Sequence, residues 1–281
     1  MIGDGFDFLC KLLKDRSGLV LARDKSYLLE SRLLPVARKH GHKSLDDLVH
    51  AVRARPNGDL TREIIEAMTT NESFFFRDIK PFDQFKTFVL PQLLKARASR
   101  RQVRIWSAAC SSGQEPYSLA MLLLEHQPKL TEWAVEILAT DISTEILERA
   151  RAGLYSQFEV QRGLPIQYLM KYFKQQGERW LIDPSIRDRV RFRQFNLLDD
   201  PASLGTFDVV FCRNVLIYFD QPTKTAVLDR IWQVMSPDGF LYLGGAETVL
   251  GISERFHGLA EQRGVYSPMA PATQSERAAV A

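Results

Sequence analysis

Residues 103–126 read VRIWSAACSSGQEPYSLAMLLLEH: an apolar run from Val103 to Ala109, a break of small polar residues around Gly113, then a helix-length apolar stretch from Pro116 to His126. A strand feeding a helix through a glycine-containing turn is half of a βαβ unit. The alternation continues downstream. Ala134–Asp141 (AVEILATD), Val190–Asn196 (VRFRQFN), Phe207–Asn214 (FDVVFCRN) and Gly239–Gly245 (GFLYLGG) read as strands, and Thr144–Ala152 and Pro222–Met235 as helices. The pattern predicts an α/β fold, a doubly wound and mostly parallel sheet covered on both faces. Pro237-Asp238-Gly239 reads as a tight turn into the last of these strands.

Two regions depart from the alternation. Before it, Phe6, Leu9, Leu12 and Leu13 recur at helical spacing, as do Tyr27, Leu28, Leu33 and Val36, and later Ile64, Ile65 and Met68. Ser44-Leu45-Asp46-Asp47 has the form of a capping box and Pro56-Asn57-Gly58-Asp59 that of a turn, so residues 1–78 are expected to form a small all-helical domain. Within the second domain, 79–270, the stretch at about 160–190 is expected to insert a helix and a small antiparallel hairpin turning at Gln175–Glu178. The segment 271–281, rich in Ala, Ser and Thr, is expected to be a disordered tail.

Bulk properties exclude several classes. A net charge of +3 is too small for general nucleic-acid binding, so any basic footprint must be local. Cys10, Cys110 and Cys212 form neither a C-x-x-C pair nor a zinc-ligand pattern, which fits a reducing cytoplasm and no metal; Cys212 falls inside an apolar strand as a buried thiol. The opening Met1-Ile2-Gly3-Asp4-Gly5 is not a secretory signal, and no apolar run approaches the roughly 20 residues that span a bilayer. A soluble protein without direct membrane insertion is expected, and nothing demands more than a monomer.

In a doubly wound sheet ligands bind beyond the carboxyl ends of the strands, where strand order reverses, so residues just after strands are the candidates. Glu115 lies at a helix start, where it can meet a ligand or merely complement the helix end. Asp141 ends the second strand, where an acid can accept the two hydroxyls of a ribose; capping the next helix is the alternative, and Ser143 can do that itself. Arg213 and Asn214 interrupt an apolar run and need partners, either a ligand or neighbouring backbone. Thr69–Asp78 (TTNESFFFRD) sets three phenylalanines between Asn71 and Arg77; the rings can staple the helical domain to the sheet, while Asn71, Ser73 and Arg77 can point into one cleft.

MTTNESFFFRD, IWSAACSSGQEPYSLAML, ATDIS, QFNLLDDP and FDVVFCRNVLIYFD, together and in this order, resemble the chemotaxis receptor methyltransferase (CheR) family over about Phe6 to Tyr266. The resemblance implies a sheet of the class I methyltransferase type and S-adenosylmethionine as cofactor, leaving S-adenosylhomocysteine. It implies transfer of a methyl group to glutamate side chains on the cytoplasmic domains of methyl-accepting chemoreceptors, forming methyl esters for sensory adaptation. Asn71, Ser73, Arg77, Glu115, Asp141, Asn196, Leu197, Arg213 and Asn214 match cofactor-contacting positions, and Arg77 and Tyr218 match the reacting centre. Many relatives carry threonine at Ser73 and glutamate at Gln114. Arg23, Lys25, Arg32, Arg38 and Lys39 crowd one predicted helix; a solvated face is the plain reading, and a dock for acidic receptor helices is the one the family implies. Lys174–Arg179 is shorter and poorer in glycine than in relatives that grip a receptor pentapeptide, so no tether is expected. The alternative function is a non-catalytic cofactor-binding signalling module of the same fold. Methylation of nucleic acid is not expected, since Arg213–Tyr218 lacks the proline-aromatic motif it would call for.

Overall fold

The computed structural model describes residues 3–126 and 130–270; the expected tail lies outside them. Four helices come first: α1 (Asp4–Ser17), α2 (Ser26–Lys39), α3 (Leu45–Ala54) and α4 (Asp59–Met68). Phe6, Leu9, Leu12 and Leu13 are the buried face of α1, as their spacing predicts. On α2 the buried stripe is Leu29, Leu33 and Ala37, with Tyr27 exposed. The expected face was therefore turned by about one residue, because an i, i+4 stripe through an alanine is less conspicuous than the larger side chains beside it. Ser44 and Asp47 form the capping box of α3. These helices enclose a core of their own that includes Leu9, Leu29, Leu48 and Ile64.

Helix α5 (Lys80–Gln84), a π-helical turn (Phe85–Val89) and α6 (Leu90–Ala96) lead to β1 (Gln102–Ala108). Then follow α7 (Gln114–Glu125), β2 (Ala134–Asp141) and α8 (Thr144–Ala152). The insertion comprises β3 (Leu154–Ser156), α9 (Gln157–Gln161), α10 (Ile166–Tyr172), β4 (Phe173–Gln176) and β5 (Arg179–Ile182). It is a three-stranded antiparallel sheet in the order β3-β5-β4 rather than a bare hairpin. After α11 (Pro184–Arg187) come β6 (Val190–Gln194), β7 (Phe207–Cys212), α12 (Gln221–Gln233), β8 (Met235–Leu243), β9 (Phe256–Gly258) and β10 (Val265–Pro268).

The main sheet runs β6-β2-β1-β7-β8-β10-β9, parallel from β6 to β8 and antiparallel through β10 and β9. With the insertion set aside, that order is 3-2-1-4-5-7-6, the doubly wound sheet expected. Its strands alternate between two cores: Val103, Ile105, Phe211 and Tyr242 face one, and Trp106, Val210, Cys212 and Leu243 the other. Pro237–Gly239 is not a turn before the last parallel strand but a bulge inside it. Phe207 pairs with Met235 and Val209 with Phe240, so β8 carries extra residues there. Proline is tolerated at such a point because it has no ladder bond to lose.

Strand order reverses between β1 and β7. The crevice beyond their carboxyl ends is therefore where a ligand site belongs.

Candidate active site

Beyond β1 the chain makes a contorted loop. Ala109 and Ser111 have positive φ (58° and 52°), and Gly113 follows at 91°. A Cβ on Gly113 would lie 3.1 Å from both Ala150 and the Tyr117 ring, so that position combines a left-handed backbone with close packing. The loop turns the Ser111 N–H towards Asp141, whose Oδ2 accepts it at 2.8 Å while Oδ1 accepts the Ser143 N–H at 3.0 Å. Ser143 itself caps α8. Asp141 thus fastens two loops together, and each of its oxygens keeps a lone pair for a ligand. Burial pushes its carboxyl above the usual aspartate range, against the lowering effect of the N–H groups from Ser143, Ser111 and Ile142.

Glu115 does not cap α7. Its Oε1 accepts the Ser107 hydroxyl at 2.8 Å and its Oε2 accepts Arg213 at 2.9 Å. Arg213, with 1% of its side chain exposed, also donates to Asp78 at 2.7 Å and to the Arg77 carbonyl at 3.0 Å. Its Nε has no partner. A buried guanidinium N–H left unpaired is costly, and an acceptor on a ligand in the cleft would satisfy it. With Asp141 and the narrow glycine loop, this donor and acceptor set fits a cofactor that carries a ribose and a charged amino-acid end.

Asn214 is held in a left-handed conformation, φ 59°. The Glu247 carboxylate accepts the backbone N–H groups of Asn214, Val215, Ile217 and Gly244 at 2.7, 3.0, 3.3 and 2.6 Å. Tyr218 closes the short turn Leu216–Tyr218 that this carboxylate organises. The linker after α1 crosses above it: Val20 N–H donates to the Tyr218 carbonyl at 2.9 Å, and Lys14 pairs with Asp220 at 2.6 Å. Asn196 Nδ2 donates to the Arg16 carbonyl at 2.7 Å, so its amide is committed to holding the helical domain. Glu66 of α4 accepts the hydroxyls of Ser143 and Thr144 at 3.0 and 2.9 Å.

Thr69–Asp78 runs along one wall. The Asn71 carbonyl accepts the Ser111 hydroxyl at 2.9 Å, and Phe76 N–H donates to Ser118 Oγ at 3.0 Å. Phe75 packs on Tyr155 and Phe173, and Phe76 on Phe82 and Tyr168. Both rings belong to the sheet-side core, so they anchor the linker to the sheet and its insertion rather than to the helical domain. Phe74 stays nearer the surface between the guanidinium groups of Arg77 and Arg162. Phe76, Asp78 and Ile79 all have positive φ, a strained conformation above all for a β-branched isoleucine.

The cleft encloses about 960 Å³ when the open space at its mouth is counted. All ten residues named from the sequence line it: Asn71, Ser73, Arg77, Glu115, Asp141, Asn196, Leu197, Arg213, Asn214 and Tyr218. Ser17 and Leu19 of the helical domain cover it. Sequence reasoning missed Glu66, Asp78 and Glu247. Each is an acidic residue outside a strand end, recognisable only from the N–H groups, hydroxyls or guanidinium it meets.

The basic cluster around α2 is engaged only in part: Lys25 and Arg38 are exposed, and the Arg23 and Lys39 side chains stay 76% and 68% exposed in surface ion pairs. Arg23 pairs with Asp7, Lys39 with Glu63, and Arg32 donates to the carbonyls of Met68 and Thr69. No helix among the described residues is long and apolar enough to cross a membrane.

Comparison with known proteins agrees with this architecture. Residues 4–69 match the family described as CheR methyltransferase, all-alpha domain, and residues 71–265 match CheR methyltransferase, SAM binding domain. The chain is 43% identical over 248 residues to chemotaxis protein methyltransferase Cher2 of Pseudomonas putida, covering 87% of this chain and 90% of that protein. It is 44% identical over 255 residues to chemotaxis protein methyltransferase 1 of Pseudomonas aeruginosa, covering 89% and 92%. Against chemotaxis protein methyltransferase 1 of Vibrio cholerae the identity is 41% over 250 residues, covering 88% and 90%. With both of its domains matched in order and nearly end to end, this chain belongs to the CheR methyltransferase family.

Proposed function

We propose that this protein esterifies glutamate side chains on the cytoplasmic domains of chemoreceptors, using S-adenosylmethionine. The observation that carries the reading is the cleft at the β1/β7 switch point, with buried Asp141 on one side and the incompletely paired Arg213 on the other. When bound, the cofactor supplies an electrophilic methyl on a positively charged sulfur. Asp141 would hold the ribose, Phe195–Leu197 would flank the adenine, and Glu115, Arg213 and Asn214 would hold the amino-acid end.

The remaining work is positional. A glutamate carboxylate, with a reference pKa of about 4.3, is ionised at neutral pH and needs no general base. Arg77 and Tyr218 both line the cleft and orient the incoming carboxylate. Arg77 is held back by its bond to the Glu72 carbonyl and its stacking on Phe74. That suits orientation, since a tight ion pair would blunt the nucleophile. Ser17 and Leu19 line the cleft beside the Val20–Tyr218 bond, where a bound cofactor and acceptor would displace water from the reacting atoms. The tight turn at Gly177 between β4 and β5 goes with action that needs no receptor pentapeptide tether.

Incubation with tritiated S-adenosylmethionine and receptor cytoplasmic domains tests this. Base-labile methyl ester on glutamate is expected; alkali-stable label would point to N-methylation and overturn the chemistry.

A further inference from the structure

A second groove opens beside the cofactor cleft at the carboxyl end of β8. It encloses about 1,310 Å³ with its mouth and is lined by Asp78, Lys80, Pro81 and Gln84, by Glu247, Thr248 and Leu250 with the strand end before them, and by Arg263. The two depressions meet at two points. Asp78 in the groove is held by Arg213 of the cleft, and Gly244 in the groove lies against Asn214 of the cleft. A Cβ on Gly244 would fall 2.8 Å from Asn214 Nδ2 and 2.6 Å from the Glu247 carboxylate, whereas Gly245 faces open space. The partition between cleft and groove is therefore one residue thick.

The charges lining the groove are sorted. Both carboxylates are already engaged: Asp78 with Arg213, and Glu247 with four backbone N–H groups. Both cations, Lys80 and Arg263, are exposed and pair with no carboxylate among the described residues. The electrostatic face offered to a partner is positive. A large apolar side chain accompanies it, Leu250 at 76% exposure.

We propose that this groove receives the receptor segment that carries the target glutamate. Lys80 and Arg263 pair with carboxylates flanking the target, and Leu250 meets the segment's apolar stripe. The proposal rests on the glutamate-esterifying function above and assigns the docking of the acceptor segment to this groove. An acidic amphipathic segment is the occupant that matches free cations beside the exposed Leu250. Rim charges of this kind act on encounter and register more than on the chemical step.

The test uses the full chain and the cytoplasmic domain of a receptor that the wild-type protein labels. In the doubly substituted Lys80→Glu/Arg263→Glu protein, the KM for receptor should rise at least tenfold. kcat at saturating receptor and the Kd for S-adenosylmethionine, measured by calorimetry, should stay within about twofold. Lys80→Arg/Arg263→Lys should restore the receptor KM. An unchanged receptor KM with ester still formed would overturn the groove assignment alone, as would a parallel loss of cofactor affinity. If the wild-type protein forms no ester on any receptor, the functional reading fails and the groove's occupant with it.

Discussion

The carboxylate of Glu247 accepts the backbone N–H of Asn214 at 2.7 Å, from 33 residues further along the chain. Three more N–H groups converge on the same carboxylate, so it serves as the fixed centre of the loop that carries Asn214 and Tyr218. Glu247→Gln replaces one accepting oxygen with a donating NH2 that faces N–H groups. Hydrogen bonds to charged groups contribute about 1.5–3 kcal/mol each, and the expected loss of stability is about 2 kcal/mol. The urea midpoint reads that loss. The cofactor Kd should weaken together with kcat, because Asn214 and Tyr218 move as one. A variant with the lower midpoint but normal kinetics would confine Glu247 to the scaffold.

Arg213 has two carboxylate partners of unequal weight. Asp78 is about half exposed, whereas Glu115 has 12% of its side chain exposed. Exposed pairs contribute about 0–1 kcal/mol, but removing one member of a buried pair costs about 3–5 kcal/mol. Arg213→Ala should therefore destabilise the protein by about 3 kcal/mol or more, nearly all through Glu115, and abolish cofactor binding. Asp78→Asn should cost well under 1 kcal/mol. Equal effects in chemical denaturation would refute this ranking.

The contrast between these residues shows what was legible in the sequence. Arg213 could be singled out because a charge inside FDVVFC-R-N breaks an apolar strand pattern. Glu247 sits in an ordinary loop, and its role is set by N–H groups about 30 residues away. The long parallel strands were legible because burial on both faces writes continuous apolar runs. β3 was not: it is three residues long and follows the glycine that ends α8, so no periodicity can accumulate. β9 and β10 are similarly short, and their pairing depends on tertiary context. The ten cleft residues were legible because strand ends and the Thr69–Asp78 segment converge there. Their supporting acids were not, because an acid that binds backbone N–H groups has no spacing signature.

Asp141 imposes opposite pH trends on stability and on binding. Burial raises its pKa in the folded protein above the unfolded value of about 3.9. The folded state therefore holds this proton more tightly than the unfolded one. The resulting destabilisation is absent below the ordinary aspartate range, grows as pH rises through the folded pKa, and is complete above it. Cofactor affinity should climb over the same window, because the carboxylate is the form that accepts ribose hydroxyls. Calorimetric Kd values across that acid range should show the climb in the wild type and a flat profile in Asp141→Asn.

Arg77 touches the fold lightly, through one bond to the Glu72 carbonyl and stacking on Phe74. Arg77→Ala should leave the thermal midpoint within a few degrees of wild type, since surface changes usually stay within about ±0.5 kcal/mol. Turnover should fall by a hundredfold or more, the scale of loss when a positioning group is removed. Near-normal receptor methylation by this variant would remove Arg77 from the reacting centre.

Glu66 fastens the helical domain to the sheet domain where the cofactor binds. Its carboxylate accepts the Ser143 and Thr144 hydroxyls and, at 3.3 Å, the Glu145 N–H, placing a negative charge at the start of α8. That position also complements the helix dipole, worth about 0.3–1 kcal/mol. Ser143 is two residues from Asp141, and its N–H is among those that hold the Asp141 carboxylate. Glu66→Ala should therefore do two things at once. It should loosen the four-helix core from the sheet, seen as faster proteolysis within 68–74 or as two unfolding transitions in place of one. It should also weaken cofactor binding several-fold without touching the ligand, through the slackened Ser143 turn. Bound cofactor should restore a single transition, because a ligand in the cleft, which residues of both domains line, stabilises the folded arrangement by mass action. Two transitions that persist at saturating cofactor would mean that the domains communicate through the linker alone.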